Sequence, residues 1–314
     1  MIKKITPADV TDWLQMRTKD ITSSEVAALF GISPYITAFE LWHRKKDGNV
    51  VTIEQNDPMK WGIRLQDSIA LGVAQDNNWK VHRMDEYMRD DELRIGSSFD
   101  FSIDQDEDGT SNHGAGILEI KNVHGLVYKD QWLENDDGSV EAPPHIELQV
   151  QHQLLVSGRK FAYIAALTGG NKVVLIRREP DAAVISAIKA KVKEFWISIE
   201  ANKPPSPDYS ADAEFISKLY GYAEVGKVFD ASGDKEIIDL ALKHKQFTAD
   251  EKKAKEGKDA VKAQLLMKIG ESEKVICDGF SISCGAVAPT RIEAYDRAGF
   301  RMFRLNWPKA KKGE

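Results

Sequence analysis

The sequence predicts an α+β fold: a small mixed sheet flanked by helices, with a C-terminal extension built from helix and short strands. Three observations predict it. Apolar residues in the first third recur at helical spacing, the middle third switches to alternation, and NKPPSPD at 202–208 separates both from a Lys/Glu/Ala-rich tail. Thr6-Pro7 reads as a helix start, followed by Val10, Trp13 and Leu14 at i, i+3, i+4, with Arg17 one turn beyond Trp13. Thr22-Ser23-Ser24-Glu25 fits a capping box, which places Ser24 in the first turn of a helix carrying Val26, Leu29 and Phe30 and stopped by Gly31. Ala38, Leu41 and Trp42 mark a third helix ending near Gly48. After Asp57-Pro58 a longer one runs on Leu65, Ile69 and Val73. In Arg94–Asp104, Phe99, Phe101 and Ile103 alternate with Ser98, Asp100, Ser102 and Asp104, which predicts a strand; Gly116–Val123 predicts a second, beyond the polar QDEDGTSNHGAG. Pro143-Pro144 opens a helix with Ile146, Val150 and Leu154, stopped by Gly158. Phe161–Leu167 and Lys172–Arg178 form a hairpin around Thr168-Gly169-Gly170-Asn171, and a helix with Ile185, Ile188, Val192, Phe195 and Ile199 closes the region. In the tail, Asp234–Ile269 reads as helical, one helix or a pair, and Val275–Val287 and Ile292–Trp307 as short strands. The boundary therefore falls between a domain at 1–204 and an extension at 209–314.

Composition narrows the function classes. With 42% apolar and 29% charged residues, the chain is an ordinary globular protein rather than a disordered or fibrous one. No apolar run approaches the roughly 18 residues of a membrane span, and MIKKITPADV lacks a hydrophobic signal core. Cys277 and Cys284 are the sole cysteines, so neither a disulfide framework nor a Cys-based zinc site exists, and the expected compartment is the cytoplasm. The seven histidines show no HExxH or comparable metal spacing. A net charge of −6 argues against indiscriminate nucleic-acid binding but leaves room for a local basic track, with Lys252–Lys258 and Lys309–Lys312 as candidates or as solvated charge.

The chemistry-bearing feature is Asp100 followed, one strand later, by Glu119-Ile120-Lys121. Side chains at i and i+2 of a strand share a face, so Glu119 and Lys121 project together while Ile120 turns to the core. If the two strands pair, Asp100 converges on Glu119. Two carboxylates make a hard-oxygen site suited to Mg²⁺, and an ammonium beside them is useless in a metal cage but useful beside a phosphate. Taken alone, D-x18-E-x-K also describes a solvated cross-strand ion pair. The apolar run GILEIK, however, places charge where burial needs a reason.

In order, the segments W-x3-R-x3-ITSSEVAALFGISPY, MKWGIRLQ, SSFD, GILEIK and IELQVQHQLLVSG, then a strand hairpin, resemble the lambda-exonuclease or YqaJ-type viral recombinase nucleases of the PD-(D/E)xK superfamily. The resemblance runs from about Trp13 to Trp196. It implies a restriction-endonuclease-like core. It further implies an Mg²⁺-dependent exonuclease, with two ions and Mn²⁺ as a substitute, that digests one strand of duplex DNA 5′ to 3′ from a 5′-phosphorylated end in phage-type recombination. Asp100, Glu119 and the carbonyl of Ile120 would be metal ligands, Lys121 the catalytic lysine, and Gln149 a neighbour of the active centre. Arg17 and Ser24 match positions that hold the terminal 5′-phosphate, a role suited to a guanidinium fork. Trp13, Gln151 and His145 are candidate DNA contacts. A homotrimeric ring and a single-strand annealing protein as partner are also implied. Two positions depart from the pattern: Phe99 stands where the family has proline before the aspartate, and Gln66 where it usually has a metal-facing glutamate. As a ligand, Gln66 would offer a neutral amide oxygen. A DNA-binding or assembly protein weakened through Gln66, and an endonuclease of the same superfamily, are the competing readings.

Overall fold

The structure, a computed structural model, describes residues 1–48, 50, 54–104 and 116–288 of the chain. In chain order the elements are β1 (Ile2–Ile5), α1 (Val10–Thr18), β2 (Ile21–Thr22), a 3-10 turn at Val26–Phe30, α2 (Ala38–Asp47), α3 (Asp57–Asp76), β3 (Val81–Arg83), β4 (Tyr87–Asp90), β5 (Ile95–Ser97), β6 (Phe101–Ile103) and β7 (Gly116–Val123). Then come α4 (Gly125–Gln131), β8 (Leu133–Glu134), β9 (Val140–Glu141), α5 (Pro144–Ser157), β10 (Ala162–Thr168), β11 (Lys172–Arg178), α6 (Ala182–Glu200), α7 (Ala213–Leu219), α8 (Lys235–Ile269), β12 (Lys274–Cys277) and β13 (Phe280–Ser283). They divide into two compact units, Met1–Ile216 and Ser217–Glu314.

The first unit is α+β. Its larger sheet has the order β11-β10-β7-β6-β3, in which β7 and β10 run parallel and the other pairs antiparallel. Both faces are covered. Leu118 and Ile120 of β7, with Phe101 and Ile103 of β6, pack beneath Ile69, Ala70 and Val73 of α3. On the opposite face Ile117, Ile164 and Ala166 meet Val150 and Leu154 of α5 and Ile188 and Val192 of α6. Ile103, Ile117, Leu118 and Ile164 are wholly buried, each contributing on the order of 2 kcal/mol. This sandwich explains why β7 is apolar on both faces from Ile117 to Ile120 except at Glu119. A second sheet, β1-β4-β5-β2, is anchored by buried Asp20, which accepts from Tyr87 Oη (3.1 Å) and Arg89 Nη2 (2.9 Å).

Several expectations are corrected. The first helix starts at Val10 rather than at Pro7, capped by the Asp9 side chain, and β1 precedes it. The predicted capping box is half formed. Glu25 Oε2 accepts from Thr22 N (3.0 Å), but the next element is the 3-10 turn, so Ser24 lies before it and not in a helical first turn. The alternating run at 94–104 is two strands in two sheets, β5 and β6, because Ser98–Asp100 crosses between them. Residues 235–269 form one helix, α8, with no buried residue, and β12 pairs with β13. The expected strand at 292–307, the Lys309–Lys312 patch and most of the QDEDGTSNHGAG segment lie outside the described residues. Among the described residues no helix is long and apolar enough to cross a membrane.

Candidate active site

Asp100 sits one residue before β6, where the pairing of β6 with β7 ends. The next free backbone position on that edge of β7 is Ile120, and its N–H donates to Asp100 Oδ2 (2.8 Å), so a carboxylate replaces a ladder carbonyl. Within a strand, the N–H and C=O of one residue point to the same neighbour. The Ile120 carbonyl therefore also opens toward Asp100. Glu119, buried on the α5 face, is held by three donors: Lys121 Nζ and Gln149 Nε2, each 2.6 Å from Oε1, and Gln153 Nε2, 2.7 Å from Oε2. Lys121 Nζ also donates to Gln149 Oε1 (3.1 Å). Asp100, Glu119, Ile120, Lys121 and Gln149 thus come together.

Gln66, on α3, reaches the same carboxylate, but with its nitrogen. Its Nε2 donates to Asp100 Oδ1 (2.7 Å) while its oxygen accepts from Arg83 Nη2 (3.2 Å). Arg83 in turn pairs with Asp67 (3.1 Å), so the amide is oriented by a cation on its far side. The electrostatics reflect this crowding. Burial, then the Glu119 charge, push the Asp100 carboxyl up to about 7 against the pull of Lys121, the Ile120 N–H and Arg83. For Lys121, burial alone would favour the neutral amine; the charges of Glu119 and Asp100 outweigh it and raise its pKa above the ordinary lysine value.

Arg17, Ser24 and Trp13 form a second cluster. Arg17 Nη2 donates to Ser24 Oγ (3.1 Å) and Thr22 Oγ1 (3.3 Å), and its guanidinium carbon stands 4.7 Å from the centre of the Trp13 ring. Beneath it, buried Lys45 donates to the Arg17 carbonyl (2.6 Å) and pairs with Glu25 (2.8 Å). The two clusters share one segment. Ser97 Oγ donates to Ser23 Oγ (2.9 Å), Trp13 Nε1 donates to Ser98 Oγ (2.8 Å), and Asp100 comes two residues later. The stretch that broke the predicted strand is thus the one that ties the Arg17 cluster to the carboxylates.

Two expected DNA contacts resolve differently. Gln151 is buried and its amide is spent on structure, donating to the Glu179 carbonyl (2.8 Å) and accepting from Asp181 N (2.8 Å). The residue that joins Gln149 at the site is Gln153, four positions on and on the same helical face, while Gln151 points about 200° away. That i, i+4 spacing was the available signal for Gln153. His145, one turn before Gln149, lies partly exposed against Tyr35, 5.9 Å between ring centres and edge to face. Burial, then the Lys121 charge, hold its pKa down. Arg83 carries no sequence signal for its place beside the site, and Ser98 and Tyr35 lie in the quoted segments SSFD and ITSSEVAALFGISPY without a role that spacing assigns.

The donor set fits a hard divalent cation. Asp100 supplies two oxygens that each accept one hydrogen bond and keep a second lone pair, and the Ile120 carbonyl faces the same edge. A cation there would also offset the burial and the Glu119 repulsion that raise Asp100. Among the described residues no three His, Cys, Asp or Glu side chains gather into a metal cluster.

Similarity to known proteins covers the same segment. Residues 12–160 match the model of the YqaJ-like viral recombinase domain. The uncharacterized protein YqaJ of Bacillus subtilis (strain 168) is 29% identical over 261 residues, spanning 81% of this chain and 77% of that protein. Among solved structures, an alkaline exonuclease from Laribacter hongkongensis aligns with 19% identity and a TM-score of 0.48, over 67% of this chain and all of that one. A phage-related exonuclease from Haemophilus somnus 129PT aligns with 13% identity and a TM-score of 0.39, over 64% of this chain and 96% of that one. Trp13, Arg17, Ser24, Gln66, Asp100, Glu119, Lys121 and Gln153 therefore all lie within the segment that matches the YqaJ-like viral recombinase domain.

Proposed function

We propose that the chain is a divalent-metal-dependent exonuclease that digests one strand of duplex DNA 5′ to 3′ from a 5′-phosphorylated end, in phage-type recombination. One observation carries the reading: the segment 97–100 links a carboxylate–lysine centre to an Arg–Ser cluster that suits a phosphate. An end-phosphate pocket wired to a hydrolytic centre is useful to an enzyme that starts at ends. Mg²⁺, or Mn²⁺ in its place, would be held by Asp100, Glu119 and the Ile120 carbonyl and would supply Lewis-acid activation of water and charge neutralisation at the phosphodiester. The protein's own groups do the rest. Gln149 and Gln153 fix the Glu119 rotamer, and Gln66 and the Ile120 N–H fix Asp100. The Lys121 ammonium stands where it can hold a phosphate oxygen or the attacking water. Arg17 and the Ser24 hydroxyl bind the terminal phosphate and set which phosphodiester reaches the centre.

Residues 1–204 would constitute the exonuclease domain and 209–314 an extension of separate role. A homotrimeric ring around the duplex, a single-strand annealing partner and a cytoplasmic location belong to the same reading. One observation favours a second reading: Gln66 presents an N–H to Asp100 where a carboxylate would add charge, as in a weakened, DNA-binding member of the family. Mg²⁺ with 5′-phosphorylated, 5′-hydroxyl and circular duplexes separates the readings. An exonuclease cuts the first best and the circle not at all, an endonuclease cuts the circle, and a binding protein cuts none. In the exonuclease, Arg17→Ala erases the preference for the phosphorylated end; an equal loss on both linear substrates would make Arg17 structural.

A further inference from the structure

A single exposed aromatic residue on a protein surface needs no explanation. Tyr209 and Tyr222 are exposed to the same extent as Tyr35, 78–79%, so exposure alone singles out none of them. Tyr35 is distinguished by its place. One edge-to-face contact ties it to His145, and its phenol is within electrostatic reach of the Lys121 ammonium. His145 is one helical turn before Gln149, whose amide bonds both Glu119 and Lys121. The ring therefore stands beside the centre with most of its surface open.

The backbone that presents it is held at both ends. Gly31 closes the 3-10 turn in a left-handed conformation (φ 69°), and Ile32 N returns a hydrogen bond to the Ala27 carbonyl (3.2 Å). Ser33 Oγ accepts from Tyr35 N (3.2 Å) and Ile36 N (3.3 Å), Pro34 fixes its own φ, and Thr37 caps α2. Ile36 packs against the core. A tyrosine on so short and pinned a segment loses little conformational freedom when a ligand covers it, which is the condition under which an aromatic contact contributes most.

We propose that Tyr35, backed by His145, is the stacking platform for a nucleobase flanking the scissile phosphate, so that it positions the strand being cut. This rests on the nuclease reading above. Stacking on an aromatic side chain tolerates any base, as an enzyme that digests arbitrary sequence requires. It also complements the Arg17 cluster: that cluster would hold the phosphate, and Tyr35 the base.

The test uses equilibrium binding, which does not depend on cleavage. A 5′-phosphorylated duplex is compared with versions whose first or second 5′-strand nucleotide is an abasic tetrahydrofuran, with Ca²⁺ replacing Mg²⁺. Binding is read by fluorescence anisotropy for the full-length wild type, Tyr35→Phe and Tyr35→Ala. Wild type and Tyr35→Phe should bind the natural end about tenfold more tightly than one of the abasic ends, since base stacking is worth that order of magnitude. Tyr35→Ala should bind all three alike. Wild-type indifference to both abasic ends, or discrimination that survives in Tyr35→Ala, overturns the proposal. Discrimination lost already in Tyr35→Phe also overturns it, since the hydroxyl rather than the ring face would then be at work. Wild-type cleavage in Mg²⁺, measured alongside, judges the nuclease reading separately.

Discussion

At the scale of the residue, the site was legible where chemistry depends on spacing alone. Glu119 and Lys121 share a strand face because they are two apart, and Asp100 meets them because β6 and β7 pair. Rotamers set by a third residue were not legible, and Gln66 is the case in point. Sequence alone offers its oxygen to a cation, whereas Arg83 claims that oxygen and turns the N–H toward Asp100. Lys121→Ala removes the ammonium that Glu119 and Gln149 hold at the centre. It should lower turnover at least about 10²-fold while DNA affinity changes little, the usual weight of a positioned donor that stabilises transition-state charge. Near-normal cleavage in that variant would take the lysine out of the mechanism. Gln66→Glu places a third carboxylate between Asp100 and Arg83. Because divalent affinity depends on ligand charge, calorimetric titration with Mn²⁺ should show tighter binding, and the Mg²⁺ midpoint for cleavage should fall. If neither moves, the new carboxylate is neutralised by Arg83 and position 66 does not face the cation.

At the scale of the element, α2, α3, α5, α6 and the β10–β11 hairpin were legible, since each carries its own period and stop signal: Gly48 and Gly158 end α2 and α5 in left-handed conformations. The 94–104 run was not, because alternation reports only that side chains face opposite ways. It does not say that Ile95–Ser97 pairs with β4 while Phe101–Ile103 pairs with β7. Nor does it reveal that Ser97 and Ser102 are buried, being spent on Ser23 and on Arg159 respectively. The start of β7 makes an element-scale prediction. Gly116 lies against the wholly buried Phe161 ring, and a Cβ added there would overlap the ring atoms. Neither neighbour has room to yield, with β7 held between β6 and β10. Gly116→Ala should therefore cost about 1–3 kcal/mol of stability, as overpacking in a filled core does. Urea denaturation measures it; an unchanged midpoint would show that Phe161 can rotate away freely.

At the scale of the whole molecule, the first unit buries ionisable groups in opposing senses, and their balance sets how its stability responds to pH. Asp20 is raised by burial despite Arg89 and Tyr87, so it favours folding at low pH. Glu25 is lowered, its burial outweighed by Lys45, Arg17 and Thr22 together, and so favours folding at neutral pH. His152 is the clearest case. It is wholly buried, and neither ring nitrogen has a well-formed hydrogen bond to a protein group. Burial holds its pKa down to about 4, against weaker pulls from the Ile21 backbone and Glu25. Nothing in VQHQL marked it, since a buried histidine and a surface one look alike in sequence. The sign is fixed by linkage: the unfolded chain takes a proton near the ordinary value of 6.5, and the folded chain resists until about 4. Stability is therefore intact above pH 6.5 and drains away between there and pH 4, by about 3 kcal/mol in total at 1.36 kcal/mol per unit. His152→Leu keeps most of the volume and removes both buried nitrogens. It should match or exceed the wild type at pH 7.5 and lose less on acidification, because every other titrating group cancels in the comparison. Chemical denaturation of both proteins from pH 7.5 to 4.5 gives two stability curves. They should diverge by about 2 kcal/mol near pH 5, and curves that stay parallel would mean that the imidazole finds a partner for its proton in the folded state.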